Sequence, residues 1–527
     1  MSQTLRKDLL FNTILNVLTK AISYFSYAII AYIWGAKLIT DIYYLGNSYV
    51  LAASGIFVII INSIFPTVFV RVRLNNSLLE ARKFAGTFIA FIILPVIVIG
   101  FLGYLYSTFL FAFVSKIRFD QIQANSNTLS MFSIVMLMTV VIEFYKTYLQ
   151  SLNHFIVVAS GYLLQAILFL VILFSSNKIL GNNSLVVSLS CSMFVQILLL
   201  TIYVFNKKIW PLVSFRLTNI HKSMISVGIP LLIAHVLTLF VTYFIDYLAS
   251  GYPAGYLTTV KYAQLIAFLP GLLFFTPLLD VISVRLSELY HTDVKQMVDK
   301  FLDFQSIVIL VLMPLMCFFI FFRDDIVKIL FLRGSFSVNN VIQTSEILMI
   351  YSITIVTTSL LHIITRLYYI MQKTIWSSIY AVIFQSCTLM CCYIFSKYFG
   401  FWGLPIGKVF VDLLIVLPIS YWLISKYVNG FNAKQIFVYF LKILLLNLFL
   451  SFLIFIINHK LFSILGYSKS INESFFLTFL RITISFILFC SLYFFALIKI
   501  KNQYALNLYA YLKFKFLSNL NLIKENE

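Results

Sequence analysis

A chain of 527 residues with 61% hydrophobic residues, 11% charged residues and a mean hydropathy of +0.99 is excluded from the soluble globular class, in which about a quarter of residues are charged. Repeated apolar runs of about 20 residues predict membrane-spanning helices and exclude a barrel, whose strands would be about ten residues of alternating pattern. The net charge of +20 would direct a soluble protein to nucleic acid, but here Lys and Arg cluster in short loops between apolar runs, as cytoplasmic loops do.

In chain order the apolar runs predict about 14 spans, near 11–34, 43–68, 84–111, 128–152, 154–175, 184–206, 224–249, 256–282, 302–322, 342–370, 374–397, 402–424, 437–457 and 475–499. Met1 to Asp8 is short and charged, and the run from Leu9 to Trp34 is long enough to remain as a span, so no cleaved signal is expected. Span 1 places Asn12, Asn16, Thr19, Ser23 and Ser26 on roughly one face with Lys20 near mid-span. A mid-span charge costs about 2.5–3.5 kcal/mol, so Lys20 needs a partner or a wet cavity. A cavity amine suits a pyrophosphate-linked lipid; the competing reading is a structural pairing.

The stretch from Gly35 to Leu74 has a Gly-led turn, a helix start rich in tyrosine (Tyr43, Tyr44, Tyr49), then Gly55 and Pro66 within the apolar run and a basic end. Asp41 follows Thr40 directly before the span and reads first as its N-cap. Its second reading is a carboxylate that gates the cavity or receives a cation. Glu143 and Lys146, three residues apart, are expected to neutralise each other within one helix.

A connection from Asn206 to Ser223 divides the chain. The predicted organisation is an N-terminal six-helix bundle (1–206), a cytoplasmic linker (207–223), a C-terminal six-helix bundle (224–430), two additional spans (431–500) and an interfacial tail (501–527). Asp246 to Glu288 repeats the pattern of the earlier stretch, and its end, ISVRLS, resembles the earlier FVRVRL. Two similar helix pairs, each near the start of one half, predict a transporter built from two repeats. Span 8 carries Lys261, Gln264, Pro270, Gly271, Pro277 and Asp280, too many polar and helix-breaking residues for an anchor facing lipid.

Asp246, at the outer end of span 7, reads equally as a structural and as a gating or ion-coupling group. Lys261 and Asp280 are candidate partners for other cavity groups. Gly55, Pro66, Pro270, Gly271 and Pro277 disturb backbone hydrogen bonding, either as hinges for rocking bundles or as static kinks. Farther along, Arg323 to Phe336 predicts a short amphipathic outer helix capped by Gly334. Arg366 can snorkel to the cytoplasmic surface, and Lys408 with Asp412 forms a second self-neutralising pair. The six cysteines all lie in apolar runs without metal spacing and read as packing residues.

The basic loops, including those at 207–222 and 285–300, fall on one side, which places both termini in the cytoplasm. A cysteine introduced at Asn219 is therefore expected to resist a membrane-impermeant thiol reagent in intact cells. Labelling at that position would invert the topology.

Four segments carry a family resemblance: GAKLITDIYYL after span 1, DYLASGYPAGYLTTVKYAQLIAFLPGLLF across spans 7 and 8, IVKILFLRGSFSVNNVIQTSEILMIYS into span 10, and LLHIITRLYYIMQKT before span 11. In order and spacing they resemble the MurJ/MviN branch of the multidrug/oligosaccharidyl-lipid/polysaccharide exporter superfamily. The resemblance implies an all-α polytopic fold, with two pseudo-symmetric six-helix bundles facing a central cavity and spans 13 and 14 forming a lipid-facing groove. It also implies flipping of a lipid-linked sugar from the cytoplasmic to the outer leaflet of the bacterial cytoplasmic membrane. In the lipid II flippases several arginines line the cavity. Here Lys20 stands where one is expected in span 1, Ser26, Ser54 and Leu265 occupy other such positions, and Gln264-Leu265 replaces the Asp-Arg pair after Tyr262-Ala263.

The expected function is thus a flippase for a polyprenyl-pyrophosphate-linked oligosaccharide or cell-wall precursor working by alternating access. Asn16, Lys20, Ser23, Tyr43, Tyr44, Tyr49, Lys261 and Gln264 are the candidate substrate-binding residues. A drug/cation antiporter of the same superfamily is an alternative and would call for a more acidic cavity. A membrane glycosyltransferase or polysaccharide polymerase is another, and needs catalytic residues on a sizeable outer loop. The outer acidic residues Asp41, Asp120, Asp246, Asp324, Asp325 and Glu473 are scattered over short loops, so the chain reads as a transporter and not an enzyme. No nucleotide-binding loop, metal site or nucleic-acid surface is predicted. The expected partners are the lipid-linked glycan and membrane lipid, with the chain acting as a monomer; coupling to membrane potential, H+ or Na+ stays open.

Overall fold

A computed structural model describes residues 3–213, 235–371, 374–427, 431, 433–464, 475–503 and 506. Among these residues the chain is helical with no strand. Among the described residues, eleven stretches are long and apolar enough to cross a membrane. One of them, Phe155–Asn206, folds back at Gly181, whose φ of +50° ends α8 (Phe155–Leu180) before α9 (Ser184–Asn206). The predicted spans 7 and 8 appear as α10 (His235–Ala249) and as α11 (Tyr256–Pro270) running into α12 (Thr276–Thr292). The result is an all-α polytopic membrane fold.

Contacts divide the chain into two compact units. The first holds Met1–Lys261 with Arg333–Ser337 and Ser378–Leu404, so α10 and the start of α11 pack with the N-terminal helices. Its helices include α1 (Gln3–Trp34), α2 (Leu38–Ile59), α3 (Phe65–Asn75), α4 (Leu78–Leu105) and α7 (Ser126–Ser151). Phe65 is fully buried and meets Phe69, Phe84, Phe88 and Phe144 at ring separations of 5.4, 5.8, 4.8 and 5.6 Å. Aromatic packing of this kind supplies what the hydrophobic effect does not, since lipid tails are as apolar as Leu.

The second unit holds Tyr262–Leu332, Val338–Ser377 and Pro405–Glu527. Here α13 (Val294–Phe321) packs against α20 (Ala433–Ile464) and α21 (Phe475–Lys499), with the Tyr493 hydroxyl donating to the Leu310 carbonyl at 2.9 Å. The predicted amphipathic helix is α14 (Arg323–Phe331), held against α21 by an ion pair between Asp325 and Arg481, both buried. A buried pair costs desolvation that only close geometry offsets, so this contact fixes position more than it adds stability.

The expected helix breaks take a specific form. Between α2 and α3 the helix widens into a π turn at Ile60–Ile64 just before Pro66, and α11 passes into α12 through a π turn at Gly271–Phe275 just before Pro277. Proline lacks an N–H and crowds the carbonyl four residues back, and a π turn relieves both defects without ending the helix. Gly55 does not mark a break: α2 runs through it, and a Cβ there would collide with the Leu239 side chain on α10. Its role in the structure is close helix approach. A third π turn, Val411–Val416, precedes Pro418 by the same logic.

Candidate functional site

The N-cap role expected of Asp41 falls elsewhere. Helix α2 starts at Leu38 behind Lys37, whose backbone N–H donates to Thr40 Oγ1 at 2.9 Å, so Asp41 lies inside the first turn. Its buried carboxylate caps a different helix, 214 residues away: it accepts from the Gly255 N–H at 2.6 Å, the Thr258 N–H at 2.8 Å and the Thr258 hydroxyl at 2.6 Å. The first N–H groups of a helix have no intrahelical partner and attract negative charge; the start of α11 is satisfied by a side chain from α2. Gly255 makes this possible, since its φ is +96° and any Cβ would strike the Ala36 carbonyl.

About two turns along α2, at Ser48, a second carboxylate makes the reverse connection. Asp246, at the end of α10 and 1% exposed, accepts from the Ser48 hydroxyl at 2.6 Å and from Lys261 Nζ at 2.6 Å. Lys261 is thus neutralised by Asp246, and the two carboxylates clasp α2, α10 and α11 into one cluster. Asp41 accepts through both carboxylate oxygens and Asp246 through Oδ2.

The candidate substrate residues separate. Tyr43, Tyr44 and Ser23 line a half-open cavity of about 350 Å3 inside the first unit, together with residues of α1, α8 and α9. Lys20 and Asn16 are exposed and outside this lining. Tyr49 packs edge-on to Phe111 at 5.2 Å. Gln264 donates to the Tyr351 hydroxyl at 3.1 Å in the second unit. The side chains of Pro277 and Asp280 lie outside the described residues.

Two polar clusters accompany the π turns. Asn62, within the first, donates to Glu143 at 2.8 Å and accepts from Thr147 at 2.7 Å, while Glu143 also receives Lys146 at 2.7 Å and the Tyr162 hydroxyl at 2.9 Å. Asp412, within the third, is fully buried and receives Lys408 at 2.8 Å, near His362. Both i,i+3 and i,i+4 pairs form as their spacing requires. The second unit also carries an apolar groove of about 480 Å3, in which Leu413, Leu417, Tyr421 and Trp422 face Phe437 and Phe440, with Lys434 on its lining.

A family model described as lipid II flippase MurJ matches residues 30–464. A protein of Bdellovibrio bacteriovorus named "Probable lipid II flippase MurJ" is 25% identical over 214 residues, 40% of this chain, and the match spans 41% of that relative's length. Among solved structures, a lipid II flippase MurJ in an inward closed conformation superposes with a TM-score of 0.73 at 18% identity, over 93% of this chain and 100% of that one. A multidrug resistance MATE family transporter of the MOP superfamily, in an inward-facing conformation, gives 0.65 at 13% identity, over 78% and 98%. At these identities the superpositions establish the fold.

Proposed function

The chain belongs to the MurJ lipid II flippase family, and on that premise we propose that it moves a polyprenyl-pyrophosphate-linked glycan from the cytoplasmic to the outer leaflet by alternating access. It does so in the bacterial cytoplasmic membrane with both termini inside. The observation that carries this reading is the double clasp of Asp41 and Asp246 where the start of α2 meets the end of α10 and the start of α11. Two buried carboxylates, each held by donors from another helix, give an end that is either fully bonded or open, the kind of two-arrangement element that alternating access requires. Farther along the same helices, the π turns at Ile60–Ile64 and Gly271–Phe275 let the inner halves of α3 and α12 change direction while the clasp holds.

Lys20 supplies charge for the pyrophosphate from the exposed face of α1, and the apolar groove beside Trp422 and Phe437 receives isoprenoid. Electrical potential or an ion gradient drives the cycle. Reconstituted in vesicles with a fluorescent polyprenyl-diphosphate sugar, the Lys20→Ala variant is expected to lose flipping at normal insertion, and Lys20→Arg to retain part of it. Full activity of the alanine variant would make Lys20 structural.

A further inference from the structure

The cavity shared by α1, α2, α8 and α9 is polar without being charged. Its lining includes Tyr27, Tyr43, Tyr44, Asn47, Tyr162 and Gln165, and no Asp, Glu, Lys, Arg or His. That composition fits neither of the groups a flippase or an exporter would be expected to hold by charge: a diphosphate would leave its charge unpaired, and so would a cationic amphiphile. Glu143, which accepts from the hydroxyl of the lining residue Tyr162, is already bonded to Lys146 and Asn62 as well.

The remaining hydrogen-bonding capacity has a definite pattern. The hydroxyls of Thr19, Ser23 and Ser26 donate to the carbonyls of Leu15, Thr19 and Ile22 on their own helix, at 2.8, 2.8 and 3.0 Å, and keep only acceptor capacity. Among the described residues, the Gln165 amide and the Tyr27 hydroxyl have no partner. An amide offers a donor and an acceptor side by side, the match for two adjacent hydroxyls. Tyr27 and Tyr44 stand parallel at 6.1 Å and Tyr43 meets Tyr44 edge-on at 5.4 Å, so the walls combine aromatic surface with polar ends. A volume of about 350 Å3 sits at the small end of the ~300–1,000 Å3 range of ligand pockets, enough for one ring and not for a chain.

We propose that this cavity recognises one uncharged sugar ring of the transported glycan, with Gln165 reading adjacent hydroxyls and Tyr27, Tyr43 and Tyr44 bearing on the ring. The proposal rests on the flippase reading and locates its sugar specificity within the first unit, apart from the charge that handles the pyrophosphate. A site built to hydrogen-bond a hydroxyl rejects a ligand lacking it, because its own polar groups are left unpaired.

The test is equilibrium binding of the purified full-length protein to undecaprenyl diphosphate and to the same lipid bearing glucose, galactose or N-acetylglucosamine. The expected result is at least tenfold tighter binding of one glycosylated probe than of the bare lipid, with the preference erased in Gln165→Leu and reduced in Tyr27→Ala. Retained affinity for the bare lipid shows that the variants are folded. Equal binding of all four probes by the unaltered protein overturns the sugar site and leaves the flippase reading standing. A preference that persists in both variants places the sugar elsewhere and also overturns it. Failure of every probe to bind removes the flippase reading itself.

Discussion

Replacing Asp41 with alanine is expected to reduce flipping by more than a hundredfold, with Asp41→Asn falling between that variant and the unaltered protein. The carboxylate accepts three hydrogen bonds from Gly255 and Thr258 in a buried setting, and hydrogen bonds to charged groups are each worth about 1.5–3 kcal/mol. Alanine strands two backbone N–H groups and a hydroxyl at the start of α11. The loss falls on the clasped arrangement and not on one in which the end is open, so it shifts the equilibrium between states more than it unfolds the protein. An asparagine oxygen can still accept, but its NH2 group faces donors and the charge that the helix start favours is gone. Flipping in vesicles, read beside the amount of protein inserted, separates the outcomes: transport lost at normal insertion supports the clasp as a gate, and loss in proportion to insertion makes it a structural tie. Unchanged flipping in Asp41→Ala would remove the clasp from the mechanism.

The spans and their interruptions were legible because their causes are local. Pro66 and Pro277 announce a missing N–H wherever the chain places them, and the structure answers with π turns immediately upstream. Pro418 carries the same signal for the turn at Val411–Val416, and Asp412, whose pairing with Lys408 follows from their spacing, lies within that turn. For Asp41, Thr-Asp before an apolar run is the usual sign of an N-cap, whereas its actual partners lie 214 and 217 residues on. No spacing rule connects residues so far apart, and the Ser48–Asp246 contact across 198 residues was hidden for the same reason. Gln165, an amide in the run LLQAILFL, is a weaker sequence signal than Lys20 in span 1. An uncharged polar residue costs less to bury than a charged one, so it stands out less by composition.

Expressed in a bacterium depleted of its own lipid II flippase, this protein is expected to fail to restore growth. The family resemblance places cavity arginines where Ser26, Ser54 and Leu265 stand here. The structure shows that the two serines do not compensate: Ser26 donates to the Ile22 carbonyl at 3.0 Å and Ser54 to the Val50 carbonyl at 2.6 Å, both buried. Neither has a proton left for a phosphate, and Leu265 has none to give. Each missing charge-assisted bond to the pyrophosphate removes about 1.5–3 kcal/mol, and every 1.4 kcal/mol is tenfold in affinity. Two or three such losses weaken lipid II recognition by orders of magnitude unless other contacts replace them. A glycan that fits the neutral cavity beside Gln165 could supply such contacts through its sugar, and a different polyprenyl-linked glycan is therefore the expected cargo. Growth restored at ordinary expression would show instead that Lys20 and the remaining contacts suffice for lipid II, and that the absent arginines carry little of the binding.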